Sequence, residues 1–167
     1  MIKKQFLIKA QVASEAEAIT ESIKAALARS CTYTKSATDS DGARLRSTVA
    51  DQLRGFAPEY AVAVGVDKHS ANIIRLCEAV SQAHGPILRE GRFRIGIAQK
   101  ALNLYLKFLW CLDRSRPTPP HCPIDRIVLT DAGIDESWTK LDSIEIYSQW
   151  ASSISSGISP ASRRAAC

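Results

Sequence analysis

Two residues in the middle of the chain have types and positions suited to catalysis. Lys100 lies near the start of an apolar segment, and Asp125 follows Pro123 and Ile124 at the start of another predicted helix. A lysine amine can attack an electrophilic carbon once burial or nearby positive charge has lowered its pKa. An aspartate at a helix start keeps its negative charge, and it can stabilise a developing positive charge or orient an amine. Lys100 and Asp125 are therefore the catalytic candidates.

Positive charge and one glycine surround the same part of the chain. A glycine turn ahead of a helix leaves backbone N–H groups that can bind a phosphate, and arginine and lysine side chains bind phosphate directly. The candidate nucleic-acid contacts are Arg92, Arg94, Gly96, Lys107 and Arg126. A net charge of +5, from 22 Lys+Arg against 17 Asp+Glu, is compatible with an acidic partner such as DNA.

Each of these residues also has a purely structural explanation. A lysine on a helix is more often solvated than catalytic, and an aspartate after a proline more often caps a helix. Gly96 can be a simple turn residue, and Tyr105 and Trp110 fit a core better than a platform for stacked bases. The sequence leaves these alternatives open.

The cysteines and histidines do not indicate a metal site. The five cysteines are scattered and form no CxxC pair, so we expect reduced thiols. Cys111 and Cys122 are eleven residues apart with His121 beside the second, and this spacing matches no common zinc motif. We expect neither a metal nor a cofactor.

The elements that must position these residues are predicted to be helical. Apolar residues recur at helical spacing, and capping residues, glycines and prolines mark the ends. The pattern predicts about six helices, over residues 14–30, 42–53, 68–84 and 97–112, between Pro123 and Gly133, and over 137–153. Residues 60–66 alternate valines and could instead form one short strand. The expected fold is all-α.

Length and composition indicate one ordinary globular domain. The chain has 167 residues, of which 46% are hydrophobic and 23% are charged, and a core of this size needs no disulfide or metal. We expect a single helical domain over 1–156 and a disordered, serine-rich tail over 157–167. The sequence contains neither a membrane span nor a secretory signal, so the expected location is cytoplasmic, with no membrane partner.

The segment 94–135 resembles the helix-hairpin-helix DNA glycosylase superfamily, and within it the 8-oxoguanine glycosylase-like branch. A glycine turn enters an apolar helix, and a proline-rich loop then leads to Pro123-Ile124-Asp125 at the next helix. The resemblance implies a hairpin glycine at Gly96, a Schiff-base lysine at Lys100 and a catalytic aspartate at Asp125. The hairpin reads Phe93-Arg94-Ile95-Gly96-Ile97, with one glycine and no proline. The implied function is DNA binding with base excision, as in DNA repair.

Two other functions fit the same sequence. The apolar helix over 97–112 and the aromatic residues Trp138, Tyr147 and Trp150 could cover a partner surface. The chain would then be a non-catalytic interaction protein, such as a homodimer. A small-molecule pocket between helices is the third alternative.

Overall fold

The computed structural model describes residues 2–28 and 30–157. Within these ranges the chain folds into seven α-helices: α1 (Ile2–Ala10), α2 (Glu15–Leu27), α3 (Asp39–Phe56), α4 (Val66–His84), α5 (Ile95–Leu112), α6 (Arg126–Asp131) and α7 (Ile144–Gly157). Four short 3-10 helices, at Glu59–Ala61, Gly85–Ile87, Arg89–Gly91 and Trp138–Lys140, join them. The described residues contain no β-strand, and the prediction of a compact all-α fold is confirmed.

Helix α5 is the centre of the molecule. Its apolar residues surround the helix axis, so the helix is stable only when other elements cover it on several sides. Helices α1, α2, α4 and α7 and the 3-10 helix Trp138–Lys140 all contact it. The polar side chains of Gln99 and Asn103 are also fully buried on this helix, and they require hydrogen-bonding partners there.

The structure differs from the sequence prediction in the connections. Residues 60–66 form no strand: Tyr60 is buried in a 3-10 helix, whereas Val62 is 68% exposed, and no strand lies beside them among the described residues. Alternating valines do not form a strand when no partner strand lies beside them, because an isolated strand leaves its backbone groups unpaired.

The helix boundaries also shift. Helix α3 begins at Asp39, where Thr38 and Asp41 form a reciprocal capping box, so it starts earlier than predicted. The last helix begins only at Ile144, after the separate 3-10 helix Trp138–Lys140. Helix α1 was not predicted, and none of its residues is buried. Gly157 ends α7, and residues 158–167 of the predicted tail lie outside the described residues. None of the helices that the structure describes is long and apolar enough to span a bilayer.

Candidate functional site

The two catalytic candidates lie next to each other. Lys100 Nζ is 3.7 Å from Asp125 Oδ2, although 25 residues separate the two positions. The same ammonium group lies 4.2 Å from the centre of the Trp138 ring. The Lys100 side chain is only 14% exposed and that of Asp125 is 30% exposed. An anionic carboxylate and the electron-rich face of an indole both stabilise the charged form of a lysine.

Asp125 occupies the N-cap of α6. Its Oδ1 accepts hydrogen bonds from the backbone N–H groups of Ile127 (3.0 Å) and Val128 (3.3 Å). The structural explanation of this residue is therefore correct, and the carboxylate is fixed in place by the helix start. The cap uses Oδ1, whereas Oδ2 is the atom nearest to Lys100. The carboxylate of Asp125 can thus cap α6 through Oδ1 and face Lys100 through Oδ2 at the same time.

Gln99 holds the backbone that precedes Asp125. Its Nε2 donates to the carbonyl of Ile124 (2.6 Å) and its Oε1 accepts from the N–H of Ile124 (3.1 Å). An irregular loop packed on a helix must find such partners for its backbone groups. Because Gln99 and Lys100 are neighbours on α5, this clamp holds the backbone before Asp125 against the part of α5 that carries Lys100.

A buried polar network continues from Gln99 along α5, with Asn103 at its centre. Asn103 Nδ2 lies within hydrogen-bond distance of Gln99 Oε1 (3.1 Å), the carbonyl of Cys122 (3.2 Å) and the Tyr147 hydroxyl (3.1 Å). Asn103 Oδ1 accepts from His69 Nε2 at 2.8 Å. The network therefore ties α4, α5, α7 and the proline-rich loop together. The side chains of Gln99, Asn103 and His69 are fully buried.

The hydrogen bonds of His69 determine which ring nitrogen carries the proton. Asn103 Oδ1 can only accept, so His69 Nε2 donates to it, and His69 Nδ1 is left to accept from the Tyr60 hydroxyl at 2.7 Å. Burial, and then the charge of the nearby His121, lower the pKa of His69 from 6.5 to about 4. Burial also raises the pKa of the Tyr60 hydroxyl to about 12. At neutral pH the pair is uncharged.

The same argument about donors and acceptors assigns the ring hydrogen of His121, which lies at the other end of the network. Among the partners of the Tyr147 hydroxyl, only His121 Nδ1 can accept its proton, at 2.8 Å, because Asn103 Nδ2 is a donor. Burial lowers the pKa of His121, which also favours the neutral ring. Neutral His121 then carries its hydrogen on Nε2. The His69 and His121 rings meet edge to face, 5.2 Å apart.

Gly96 has a packing role in the structure. It lies inside the first turn of α5, and its N–H donates to the carbonyl of Leu141 at 2.9 Å. A Cβ atom at this position would lie 1.7 Å from the carbonyl oxygen of Trp138. The glycine therefore allows close packing of the segment around Trp138, and its contact with nucleic acid stays a prediction.

The predicted basic residues have different surroundings. Arg92 pairs with Asp142 at 3.1 Å and Arg94 with Glu90 at 2.7 Å, so acidic neighbours offset both charges. Arg126 is exposed at the start of α6. Lys107 lies seven residues after Lys100 on α5, with its ammonium 4.5 Å from the centre of the Phe6 ring. Arg92 and Arg94 therefore each have an acidic neighbour, as Lys100 has in Asp125.

A groove lies beside the far end of the network. It is shallow, with enclosed space for about one water molecule, and it is lined by Lys107, Trp110, Pro119, His121, Cys122 and Pro123. We call it the His121 groove. A second shallow depression also includes Pro119, and Tyr60 lies in its lining. Both depressions thus contain one end of the buried network.

Sequence reasoning missed the network residues. The sequence does not single out His69 or Asn103, and Tyr147 is expected only as an aromatic residue that could cover a partner surface. One signal was present: Gln99 and Asn103 are four residues apart in an otherwise apolar helix, so they share a face. Trp138 and Tyr147 are buried in the core, so these two residues cannot cover a partner, whereas Trp150 is only partly buried against the core.

The described residues contain no group of three or more His, Cys, Asp or Glu side chains that could hold a metal ion. Comparison of the chain with protein-family models, curated proteins and solved structures finds no match.

Proposed function

We propose that this protein binds nucleic acid along the polar side of α5 and the start of α6, and that Lys100 and Asp125 mark its reactive end. The contact between Lys100 Nζ and Asp125 Oδ2 carries the proposal. The resemblance to the glycosylase superfamily singled out both residues, and in the fold they lie 3.7 Å apart.

The spacing of the positive charges fits a polyanion. Seven residues along an α-helix correspond to about 10 Å and nearly two full turns, so Lys100 and Lys107 share one side of α5. A DNA strand carries one charge per about 3.4 Å of axis, so this distance spans about three phosphates. Arg126 adds a third cation next to Asp125.

The surroundings of the pair favour one version of glycosylase-like chemistry. Lys100 lies against the Asp125 carboxylate and the Trp138 ring, two contacts that suit an ammonium group, and an ammonium group is not a nucleophile. The charged Lys100 would contact phosphate, and Asp125 would stabilise the positive charge that develops at C1′ as the base departs. Water would then add to C1′, and its proton would leave with the base. A base within a duplex must first be flipped out.

Two experiments test the two parts of the proposal separately. Fluorescence anisotropy with labelled single-stranded and duplex oligonucleotides measures binding, and release of base from a duplex containing 8-oxoguanine measures the reaction. We expect Lys100→Gln to weaken binding and Asp125→Asn to abolish base release, because asparagine still caps the helix. Lys24→Gln is the matched control, since Lys24 is exposed on α2 and pairs with Glu21.

The outcomes are distinguishable. Absence of salt-sensitive binding by the wild-type protein would overturn the whole proposal. Binding without base release would overturn only the reaction. An adduct with an abasic oligonucleotide, trapped by borohydride and lost in Lys100→Gln, would show that Lys100 acts as the nucleophile instead, which would contradict the role given to it here.

A further inference from the structure

The loop that joins α5 to α6 has few backbone donors of its own. Four of the seven residues over 117–123 are prolines, which have no N–H group. Side-chain hydrogen bonds must therefore provide a larger share of its attachment. His121 is partly buried in this loop, and its bond to the Tyr147 hydroxyl joins the loop to α7. The carbonyl of the next residue, Cys122, accepts from Asn103 of α5.

The bond between His121 and Tyr147 depends on a neutral histidine ring. His121 Nδ1 accepts the hydroxyl hydrogen of Tyr147, and the hydroxyl oxygen accepts from Asn103 Nδ2. A proton on Nδ1 converts this acceptor into a donor. The hydroxyl hydrogen of Tyr147, which is fully buried, then has no acceptor among these partners. A buried donor without an acceptor is strongly unfavourable, so protonation of His121 weakens the attachment of the loop.

The groups that face His121 do not stabilise a charged ring. His69 of α4 meets it edge to face at 5.2 Å, and Lys107 of α5 and the Cys122 thiol line the same groove. Burial raises the pKa of the Tyr147 hydroxyl, so this group of α7 stays neutral. Among the described residues that line the His121 groove, none is acidic. A protonated ring therefore has no counter-charge in the groove, and solvent is the better environment for it.

We propose that His121 is a pH-sensitive latch, whose neutral ring holds the proline-rich loop against α7 and whose protonated ring releases the loop in mild acid. Burial holds the pKa of His121 below 6.5, so the latch is closed at neutral pH and opens as the pH falls through this lowered value. The loop leads directly to Asp125, so its release also loosens the backbone beside Lys100. Any effect on nucleic acid rests on the proposed function, whereas the latch itself does not.

NMR of the full-length protein between about pH 7.5 and about pH 5 tests the latch. The ring signals of His121 report its protonation. Nuclear Overhauser contacts between this ring and that of Tyr147, whose centres are 5.4 Å apart, report the closed latch. We expect these contacts to disappear as His121 takes up its proton. A protonated ring that keeps its contacts with Tyr147 would overturn the proposal, because the hydrogen bond would then only reverse, and so would a ring that stays neutral down to pH 5.

Hydrogen exchange at the Ile124 amide, which donates to Gln99 Oε1, reports on the end of the loop. Its protection, normalised for the intrinsic exchange rate, should fall about tenfold over the same pH range in the wild type. In His121→Asn the amide oxygen can accept from Tyr147 but takes up no proton, so this protection should hardly change with pH. In Tyr147→Phe it should already be low at neutral pH, and the pKa of His121 should be higher than in the wild type.

Two controls separate the latch from general acid destabilisation. Protonation of the buried His69 affects the whole fold, so it acts also on the Leu102 amide in α5 and is present in His121→Asn. His84→Asn removes a histidine that bonds to Thr48 and should keep the pH dependence of the wild type. Equal pH dependence of Ile124 protection in the wild type and in folded His121→Asn would contradict the latch. None of these measurements uses nucleic acid, so their failure would leave the proposed function standing.

Discussion

Protonation of His69 should destabilise the protein in mild acid. In the folded state His69 is fully buried, and burial together with the nearby His121 lowers its pKa to about 4. Its ordinary value is 6.5, and this value applies to the unfolded chain. Between the two values the unfolded chain binds more protons than the folded one. The stabilisation is therefore complete above about pH 6.5 and is lost as the pH falls towards about 4.

The size of the effect follows from the two pKa values. A difference of about 2.5 pKa units corresponds to about 3 kcal/mol once both states are protonated. At pH 5, where folded His69 is still mostly neutral, the loss relative to neutral pH is about 2 kcal/mol. This is a substantial part of the roughly 5–15 kcal/mol by which domains are stable.

Urea denaturation of the wild type and of His69→Gln between pH 8 and pH 4 isolates this residue. Other groups also titrate in acid, so the measured quantity is the difference between the two proteins. His69→Gln should be less stable at pH 8, because the Tyr60 hydroxyl loses its acceptor, but its free energy of unfolding should fall less steeply below pH 6.5. His84→Gln is the control. Parallel curves for wild type and His69→Gln would refute the reasoning.

Three further predictions concern packing and hydrogen bonds, and each is measured by denaturation. Gly96→Ala should lower the free energy of unfolding by several kcal/mol or prevent folding, because the new Cβ would overlap the Trp138 carbonyl. Gly55→Ala on α3 has open space around the new Cβ and should raise the free energy of unfolding by about 0.5–1 kcal/mol. Equal effects of the two substitutions would contradict the packing role of Gly96. Asp125→Ala should lower the free energy of unfolding by about 1 kcal/mol because the N-cap of α6 is lost. Asp125→Asn should lower it much less because asparagine still caps the helix. Gln99→Leu should cost about 2–4 kcal/mol because it leaves two buried backbone groups unpaired; a neutral effect would argue against the clamp.

The fold class could be predicted because helical periodicity is a local property. Leu102, Leu106 and Leu109 repeat at the spacing of one helix face, and this pattern alone located α5. Residues 60–66 could not be assigned in the same way, since whether alternating valines pair depends on a neighbouring strand that the sequence does not specify.

The candidate site was predictable only in part. The juxtaposition of Lys100 and Asp125 followed from a motif, and the structure brings them together. The network around Asn103 joins residues from His69 to Tyr147, whose hydrogen bonds depend on the packing of four separate segments. The packing role of Gly96 was not predictable for the same reason, because only the close approach of Trp138 shows why a glycine is needed there.

The salt dependence of single-stranded oligonucleotide binding tests the proposed function most directly. Contacts from Lys100, Lys107 and Arg126 predict that log K falls with log salt concentration with a slope of about −2, since each phosphate contact on a single strand contributes about −0.7. Lys100→Gln should reduce the slope by about 0.7, and Lys24→Gln should leave it unchanged. Absence of binding, or a slope that does not respond to Lys100→Gln, would contradict nucleic-acid binding at this surface.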